Sequence, residues 1–169
     1  MYKAGILIIS DKGARGERKD LCREVIEDTL KRINIVSIKH DIIPDEENII
    51  YNKLIEYIDS FHLNIIITSG GTGIGPRDVT PEATKKAIEK EIPGIAEAMR
   101  LETFKFAHSS LISRSVVGIR KQSIIINLPG SPKACQECLK VILSTLPHAI
   151  DMVLGKKMEC ANEIKNVSK

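Results

Sequence analysis

The sequence predicts an α/β protein whose mostly parallel sheet carries helices on both faces. Three continuous apolar runs have the length of buried strands, and amphipathic helical stretches separate them along the chain. Strands that are buried on both faces contain such continuous apolar runs rather than alternating apolar and polar residues. Strands that alternate with helices indicate a parallel sheet, because parallel neighbours need a crossover connection.

Hydrophobic spacing places the first elements in chain order. The predicted strands cover residues 4–10, 36–43, 64–69 and 123–129. The predicted helices cover residues 21–33 and 49–58, where apolar side chains recur at helical spacing. Each helix lies between two predicted strands, so both serve as crossover connections of the expected sheet.

Two more helices are marked by their first residues. Thr80 and Ser131 each supply a hydroxyl suited to an N-cap, and each is followed by proline. Both residues follow a glycine-bearing exit from a predicted strand. Residues 114–119, with a short turn at residues 120–122, predict a hairpin arm that adds an antiparallel strand to the sheet.

Composition indicates one ordinary globular domain over residues 1–155, followed by a polar, weakly patterned tail at residues 156–169 that we expect to fray. The chain has 169 residues and a net charge of +3 with interspersed charges, which gives little support for nucleic-acid binding. No apolar run approaches the roughly 20 residues of a membrane span, and the N-terminal run turns polar too soon for a signal peptide. We therefore expect no membrane association and a cytoplasmic location.

The four cysteines do not resemble a disulfide framework in a chain without an export signal. Cys135 and Cys138 form a CxxC motif, but no second pair of ligands accompanies it. The motif also lies inside a helical pattern rather than at its first residue. We interpret these residues as structural helix thiols rather than as a redox or metal site.

The strongest chemical signal is the glycine-rich segment at residues 67–84, which runs from a buried strand through a loop into a helix. Glycines let backbone N–H groups approach an anion, and the helix N-terminus adds partial positive charge. The segment therefore predicts a phosphate-binding loop at the carboxyl edge of the sheet. It is neither a Rossmann motif nor a Walker A loop, because Pro76 occupies a position where both would need another residue.

Two aspartates are predicted to lie at this edge of the sheet. Asp78 is on the glycine-rich loop, and a carboxylate beside a phosphate site is what Mg²⁺ needs as a protein anchor. Asp45 follows the second strand at the corresponding topological position. Local sequence leaves two interpretations of Asp45 open, a metal ligand or an N-cap for a helix that begins at Glu46.

A second glycine-bearing loop follows the last apolar strand at residues 126–134. Its glycine and capped helix repeat the arrangement of the first loop, so two phosphates, or a phosphate and a pterin, could be held from two sides. The four histidines have no metal-binding or catalytic spacing, and we assign them no function.

Six segments in order complete the pattern: GILIISD, IIPDE, TSGGTGIGPRDVTPEAT, IPGIAEAMR, ISR and IIINLPGSPKA. This ordered set, spread over residues 3–155, resembles the MogA/MoaB molybdopterin-binding family, which is similar to the adenylylating domains of gephyrin and its plant counterparts. The resemblance implies a three-layer αβα sandwich, a homotrimer, and an enzyme that transfers AMP from Mg·ATP to molybdopterin. The molybdenum-inserting enzyme of the pathway is a further implied partner.

The resemblance also implies roles for particular residues. Asp45 and Asp78 match the family's catalytic, magnesium-binding aspartates. The implied contacts to molybdopterin and ATP are Ser10, Ser69, Gly70, Gly71, Thr72, Gly73, Arg77, Glu97, Pro129, Gly130, Ser131 and Pro132. The filler IGPR between Gly73 and Asp78 departs from some members but leaves both aspartates in place.

Two other classes of protein remain as alternatives to an enzyme. A carrier of the same fold would bind molybdopterin without chemistry, but binding an anion gains nothing from two carboxylates near its phosphates. A scaffold protein would have no reason to keep the glycine-rich loop. Fold alone does not decide between these classes.

Overall fold

The computed structural model describes residues 1–17 and 19–156, so the predicted tail, apart from Lys156, lies outside the described residues. The strands are β1 (Tyr2–Ile9), β2 (Ile35–Ile43), β3 (Ile65–Ser69), β4 (Lys90–Glu91), β5 (Val117–Arg120) and β6 (Ser123–Leu128). The helices are α1 (Asp11–Ala14), α2 (Cys22–Lys31), α3 (Glu47–Asp59), α4 (Thr80–Ala87), α5 (Pro93–Phe104), α6 (Pro132–Ile142) and α7 (Leu146–Val153), with a 3-10 helix at His108–Ile112.

The strands form one six-stranded sheet in the order β2-β1-β3-β6-β5-β4. The first four strands of this order are parallel to one another, whereas β5 pairs antiparallel with β6 and β4 pairs antiparallel with β5. The predicted mostly parallel sheet and the predicted hairpin arm are therefore both confirmed. The hairpin turns at Lys121, whose φ of 51° is the left-handed conformation of a tight turn.

Helices cover both faces of the sheet and bury two separate hydrophobic clusters. Side chains of α2, α5, α6 and α7 pack on one face, and those of α3 and α4 pack on the other. Alternation along β1 serves both clusters, since Ile6 and Ile8 point into the first and Leu7 and Ile9 into the second. This burial on two sides is why the strands contain continuous apolar runs, and it gives the predicted three-layer αβα sandwich.

A buried polar residue ties α4 to the centre of the sheet. The side-chain amide of Asn127 on β6 donates to the hydroxyls of Thr68 at 2.9 Å and Thr84 at 2.8 Å, and its oxygen accepts from the N–H of Val116. Asn127 is fully buried, where polar atoms need hydrogen-bond partners, and its side chain makes three of the four hydrogen bonds that an amide can form. The network fixes the helix that follows the glycine-rich loop.

The structure corrects one of the two predicted helix caps, confirms the other, and excludes the capping interpretation of Asp45 that the sequence left open. Thr80 is not an N-cap, because α4 is preceded by Val79 and the Thr80 hydroxyl donates to the Gly70 carbonyl at 2.9 Å. Asp45 does not cap α3, whose N-cap position is Glu46 without a side-chain bond. Ser131 caps α6 by accepting from the N–H of Ala134. Helices α1, α5 and α7 and strand β4 were not predicted from hydrophobic spacing.

Within the residues described, no helix is long and apolar enough to cross a membrane.

Candidate active site

Four parallel strands end side by side at one edge of the sheet, and their exits enclose a cavity of about 290 Å³. The cavity lies where the strand order reverses, between β1 and β3, which is the usual ligand position of open α/β sheets. Its lining residues are Ile8, Ile9, Ser10, Gly13, Lys19, Asp20, Leu21, Cys22, Asp45, Ser69, Gly70, Gly71, Gly130 and Pro132.

The glycine-rich loop requires glycine at its first two positions. Gly70 has a φ of +112°, and a Cβ there would lie 2.2 Å from the carbonyl oxygen of Ile9. Gly71 has a φ of +63°, and a Cβ there would lie 2.4 Å from the Thr80 hydroxyl and 3.1 Å from Oδ1 of Asp45. These glycines therefore provide both a left-handed backbone and the space that Asp45 occupies.

Asp78 folds back onto the same loop. The N–H of Gly75 donates to its Oδ2 at 2.8 Å, and the N–H of Asp78 donates to the carbonyl of Gly75 at 3.0 Å. A Cβ on Gly73 would lie 2.7 Å from the same carboxylate oxygen. Asp78 thus lies against Gly73, and Asp45 lies against Gly71. The two carboxylates therefore contact the loop at positions that are two residues apart in sequence.

Asp45 is held by a reciprocal pair of hydrogen bonds with Asp11. The N–H of Asp11 donates to Oδ2 of Asp45 at 2.9 Å, and the N–H of Asp45 donates to Oδ1 of Asp11 at 3.1 Å. Burial raises the pKa of the Asp45 carboxyl above its ordinary value, and the negative charges of Asp11 and Asp78 add to this effect. Concentrated negative charge of this kind is the environment that a divalent cation neutralises.

Arg77 joins the glycine-rich loop to two other strand exits. Its guanidinium donates to both carboxylate oxygens of Asp11, at 3.0 and 3.2 Å, and forms an ion pair with Glu46 at 2.8 Å. The bond from Arg77 holds the pKa of Asp11 below its usual range. In this structure Arg77 therefore engages protein carboxylates, and its predicted contact with a ligand stays a prediction.

A buried hydroxyl and a buried thiol donate hydrogen bonds to the second glycine-bearing loop. The Ser69 hydroxyl donates to the carbonyl of Pro129 at 3.0 Å, and the Cys135 thiol donates to the same carbonyl at 2.9 Å. The neighbouring thiol of Cys22 and burial raise the pKa of Cys135, and burial raises the pKa of Cys138 to about 11. Thiols in this state are poor nucleophiles and poor metal ligands, in agreement with the structural interpretation of the CxxC motif.

The structure brings most of the predicted site residues together. Those that line the cavity are Ser10, Asp45, Ser69, Gly70, Gly71, Gly130 and Pro132. Those that lie on the same two loops beside it are Thr72, Gly73, Arg77, Asp78, Pro129 and Ser131. Glu97 belongs to neither group: it is exposed on α5 and does not line the cavity.

Sequence reasoning identified Ser10 in the chain that follows β1 but missed the contribution of the residues after it. Gly13, Lys19 and Asp20 line the cavity, and Asp11 orients Asp45. Asp20 also accepts from the first N–H groups of α2, at 2.9 and 3.1 Å. The signal was present, because this polar segment follows an apolar strand at the same edge of the sheet as the two glycine-bearing loops.

The donor set fits a magnesium ion that is shared with a phosphate ligand. Among residues 1–17 and 19–156, no group of three or more His, Cys, Asp or Glu side chains is arranged to hold a metal. Mg²⁺ in phosphate-transfer sites needs only one or two carboxylates, because substrate oxygens and water complete its octahedron. Asp45 and Asp78 each use Oδ2 to accept a backbone N–H and provide such a pair.

Fold and site together define a class: an α/β protein with a cavity at the sheet's switch point, a glycine-rich loop and two carboxylates held at that loop. Residues 5–148 match the family described as a probable molybdopterin binding domain, and the chain belongs to that family.

Named relatives cover nearly the whole chain. The molybdopterin adenylyltransferase of Helicobacter pylori strain J99 is 39% identical over 165 residues, covering 96% of this chain and 93% of the relative. The molybdopterin adenylyltransferase of Escherichia coli K12 is 34% identical over 176 residues, covering 96% and 90%. Among solved structures, the molybdopterin biosynthesis enzyme MoaB of Thermus thermophilus superimposes with a TM-score of 0.88 at 42% identity, covering 94% of this chain and all of that one.

Proposed function

We propose that this protein is a molybdopterin adenylyltransferase, which transfers AMP from ATP to the terminal phosphate of molybdopterin and releases pyrophosphate. The observation that carries the proposal is the pair of carboxylates, Asp45 and Asp78, held against a phosphate-type glycine loop at the cavity. The full-length relatives named for this activity support it.

The chain's own groups contribute binding, orientation and charge. Residues of the glycine-rich loop and of the loop at Gly130 line the cavity, and the backbone N–H groups of such loops suit phosphate oxygens. Lys19, which also lines the cavity, adds a positive charge that would favour polyphosphate binding. The terminal phosphate of molybdopterin is itself the nucleophile, so the transfer needs no serine, cysteine or histidine nucleophile from the protein.

Asp45 and Asp78 would hold Mg²⁺, which screens phosphate charge when it is bound. The hydrogen bonds from the N–H groups of Asp11 and Gly75 orient the two carboxylates before a ligand arrives. This orientation is a form of preorganisation, because the carboxylates need little rearrangement during the reaction.

Asp78→Asn separates this enzyme from a molybdopterin carrier of the same fold. The asparagine keeps the size of the side chain and an oxygen that can accept from Gly75, but it removes the charge that a hard cation requires. We expect AMP transfer to fall about a thousandfold, equivalent to about 4 kcal/mol of transition-state stabilisation, while molybdopterin binding is retained.

The measurement is adenylylated pterin formed from molybdopterin and labelled Mg·ATP, alongside molybdopterin affinity and thermal unfolding of both proteins. Asp59→Asn is a suitable control, since Asp59 pairs with Arg120 and Lys121 and does not line the cavity. Normal AMP transfer by Asp78→Asn would remove this carboxylate from the mechanism, whereas a wild-type protein that binds molybdopterin but transfers no AMP would favour the carrier.

The proposal includes Mg²⁺ and ATP as ligands, a homotrimeric assembly, contact with the molybdenum-inserting enzyme and a cytoplasmic location. Support for the trimer and for the pathway partner comes from the family resemblance of the sequence. The contacts assigned to Glu97 belong to the same group of predictions, because this exposed side chain does not line the cavity of one protomer.

A further inference from the structure

Arg114 is distant from the glycine-rich loop in sequence but donates three hydrogen bonds to its carbonyl groups. It precedes β5 and is more than 30 residues away from the loop in sequence. Its Nε donates to the carbonyl of Gly73 at 2.7 Å, and its Nη2 donates to the carbonyl of Asp78 at 2.6 Å. Its backbone N–H donates to the carbonyl of Thr72 at 2.9 Å. One residue thus binds both ends of the segment that carries Asp78.

The chemistry of these contacts requires an arginine. The planar guanidinium presents donors in a fixed fork, so two carbonyls from separate residues can be held in one relative position. An ion pair between Nη1 of Arg114 and Glu82 on α4 completes the arrangement and neutralises the arginine's charge. Since its donors are directed to the protein, Arg114 is unsuited to binding a phosphate directly.

The loop needs such a support because its own sequence gives it little rigidity. Gly70, Gly71, Gly73 and Gly75 lower the steric barriers that normally restrict a backbone, so ordering the loop costs more conformational entropy than ordering other residues would. A displacement of about 1 Å in a catalytic group can reduce a rate about a hundredfold. An external anchor at the carbonyl of Asp78 restricts such displacement.

We propose that Arg114 is a positioning residue for the reaction: it fixes the backbone of Asp78 and so the direction of that carboxylate. The inference rests on the proposed function and adds to it a residue that contacts neither the cavity nor the other aspartate. Glu82 acts with Arg114 by keeping its guanidinium in place.

The test compares Arg114→Lys with Arg120→Lys. Lysine keeps the charge but cannot donate to two carbonyls in the fork geometry. Arg120 is the matched control, since it also donates to a carbonyl, that of Ala87, and pairs with an aspartate, but at a site away from the cavity. We expect kcat to fall tenfold to a hundredfold in Arg114→Lys, with KM for molybdopterin changed by less than about twofold. Arg120→Lys should keep the wild-type kcat.

Amide hydrogen exchange supplies a readout that needs no substrate. Peptides covering residues 72–80 should exchange at least tenfold faster in Arg114→Lys than in wild type, whereas peptides from β3 should be unchanged. Glu82→Gln, which keeps the arginine and removes only its charge partner, should show a smaller change in the same peptides and a smaller fall in kcat.

Three outcomes would overturn the inference: unchanged exchange at residues 72–80, a wild-type kcat in both Arg114→Lys and Glu82→Gln, or an effect confined to KM for ATP, which would indicate direct phosphate binding. A wild-type protein that transfers no AMP would refute the proposed function instead. The exchange measurement would then still decide whether Arg114 fixes the loop.

Discussion

The space beside Gly71 offers a quantitative test of how the glycine-rich loop is built. Gly71 and Gly16 both have a left-handed backbone, with φ of +63° and +72°. A Cβ on Gly71 would lie 2.4 Å from the Thr80 hydroxyl and 3.1 Å from Oδ1 of Asp45, whereas a Cβ on Gly16 would meet nothing within 4 Å. The pair of variants Gly71→Ala and Gly16→Ala therefore separates steric contact from backbone strain.

The expected magnitudes follow from these contacts. Both variants incur the left-handed strain of a residue with a Cβ, about 1–2 kcal/mol, and both gain equally from a less flexible unfolded chain. Only Gly71→Ala displaces the buried Thr80 hydroxyl from its bond to the Gly70 carbonyl, which adds about 1–3 kcal/mol. We expect Gly71→Ala to be less stable than Gly16→Ala by this second amount.

Urea denaturation at neutral pH gives the free energy of unfolding of both variants and the wild type, and ATP affinity is measured in parallel. Gly71→Ala should also bind ATP more weakly, because its methyl group pushes Asp45 away from the cavity edge. Equal losses of stability in the two variants, with unchanged ATP affinity in Gly71→Ala, would refute the reasoning. The loop's glycines would then serve only its backbone conformation.

Two further predictions concern Asp45 and the assembly. Because burial raises the pKa of Asp45, the stability that this group contributes is present below its unfolded pKa of about 4 and is lost as pH rises through the folded value. Asp45→Asn should therefore unfold at higher urea than wild type at pH 7, and the difference should vanish near pH 4; a variant less stable than wild type at pH 7 would contradict this sign. Light scattering of purified protein should give the mass of a trimer, and a monomeric mass at micromolar concentration would count against the proposed assembly.

The sequence by itself determined the layered architecture. Apolar runs at β1, β3 and β6 and amphipathic spacing in α2 and α3 were sufficient, because burial on two faces leaves a continuous apolar pattern in the central parallel strands. The position of the two loops at one sheet edge followed from the same topology. Ser131 was also predicted correctly, since a cap depends only on residues within one helical turn.

Tertiary structure alone decided the roles of several polar residues. Local sequence allowed Asp45 to cap α3 and Thr80 to cap α4, yet Asp45 bonds to Asp11 and Thr80 bonds to Gly70. A hydroxyl or carboxylate binds the partner that the fold brings nearest: Asp11 comes from the exit of another strand, and Gly70 lies ten residues before Thr80 on the glycine-rich loop. Sequence spacing carries no information about such contacts.

Arg77 and Arg114 show most clearly which features the sequence predicts and which depend on tertiary structure. Arg77 was predicted at the site from its neighbours, but its bonds to Asp11 and Glu46 depend on three strands ending side by side. In the sequence, Arg114 was noted only as part of a motif. Its hydrogen bonds to the glycine-rich loop join residues that are more than 30 positions apart. Hydrophobic periodicity specifies which faces are buried and therefore the fold, whereas the geometry of polar groups at the site is specified only once packing has brought distant segments together.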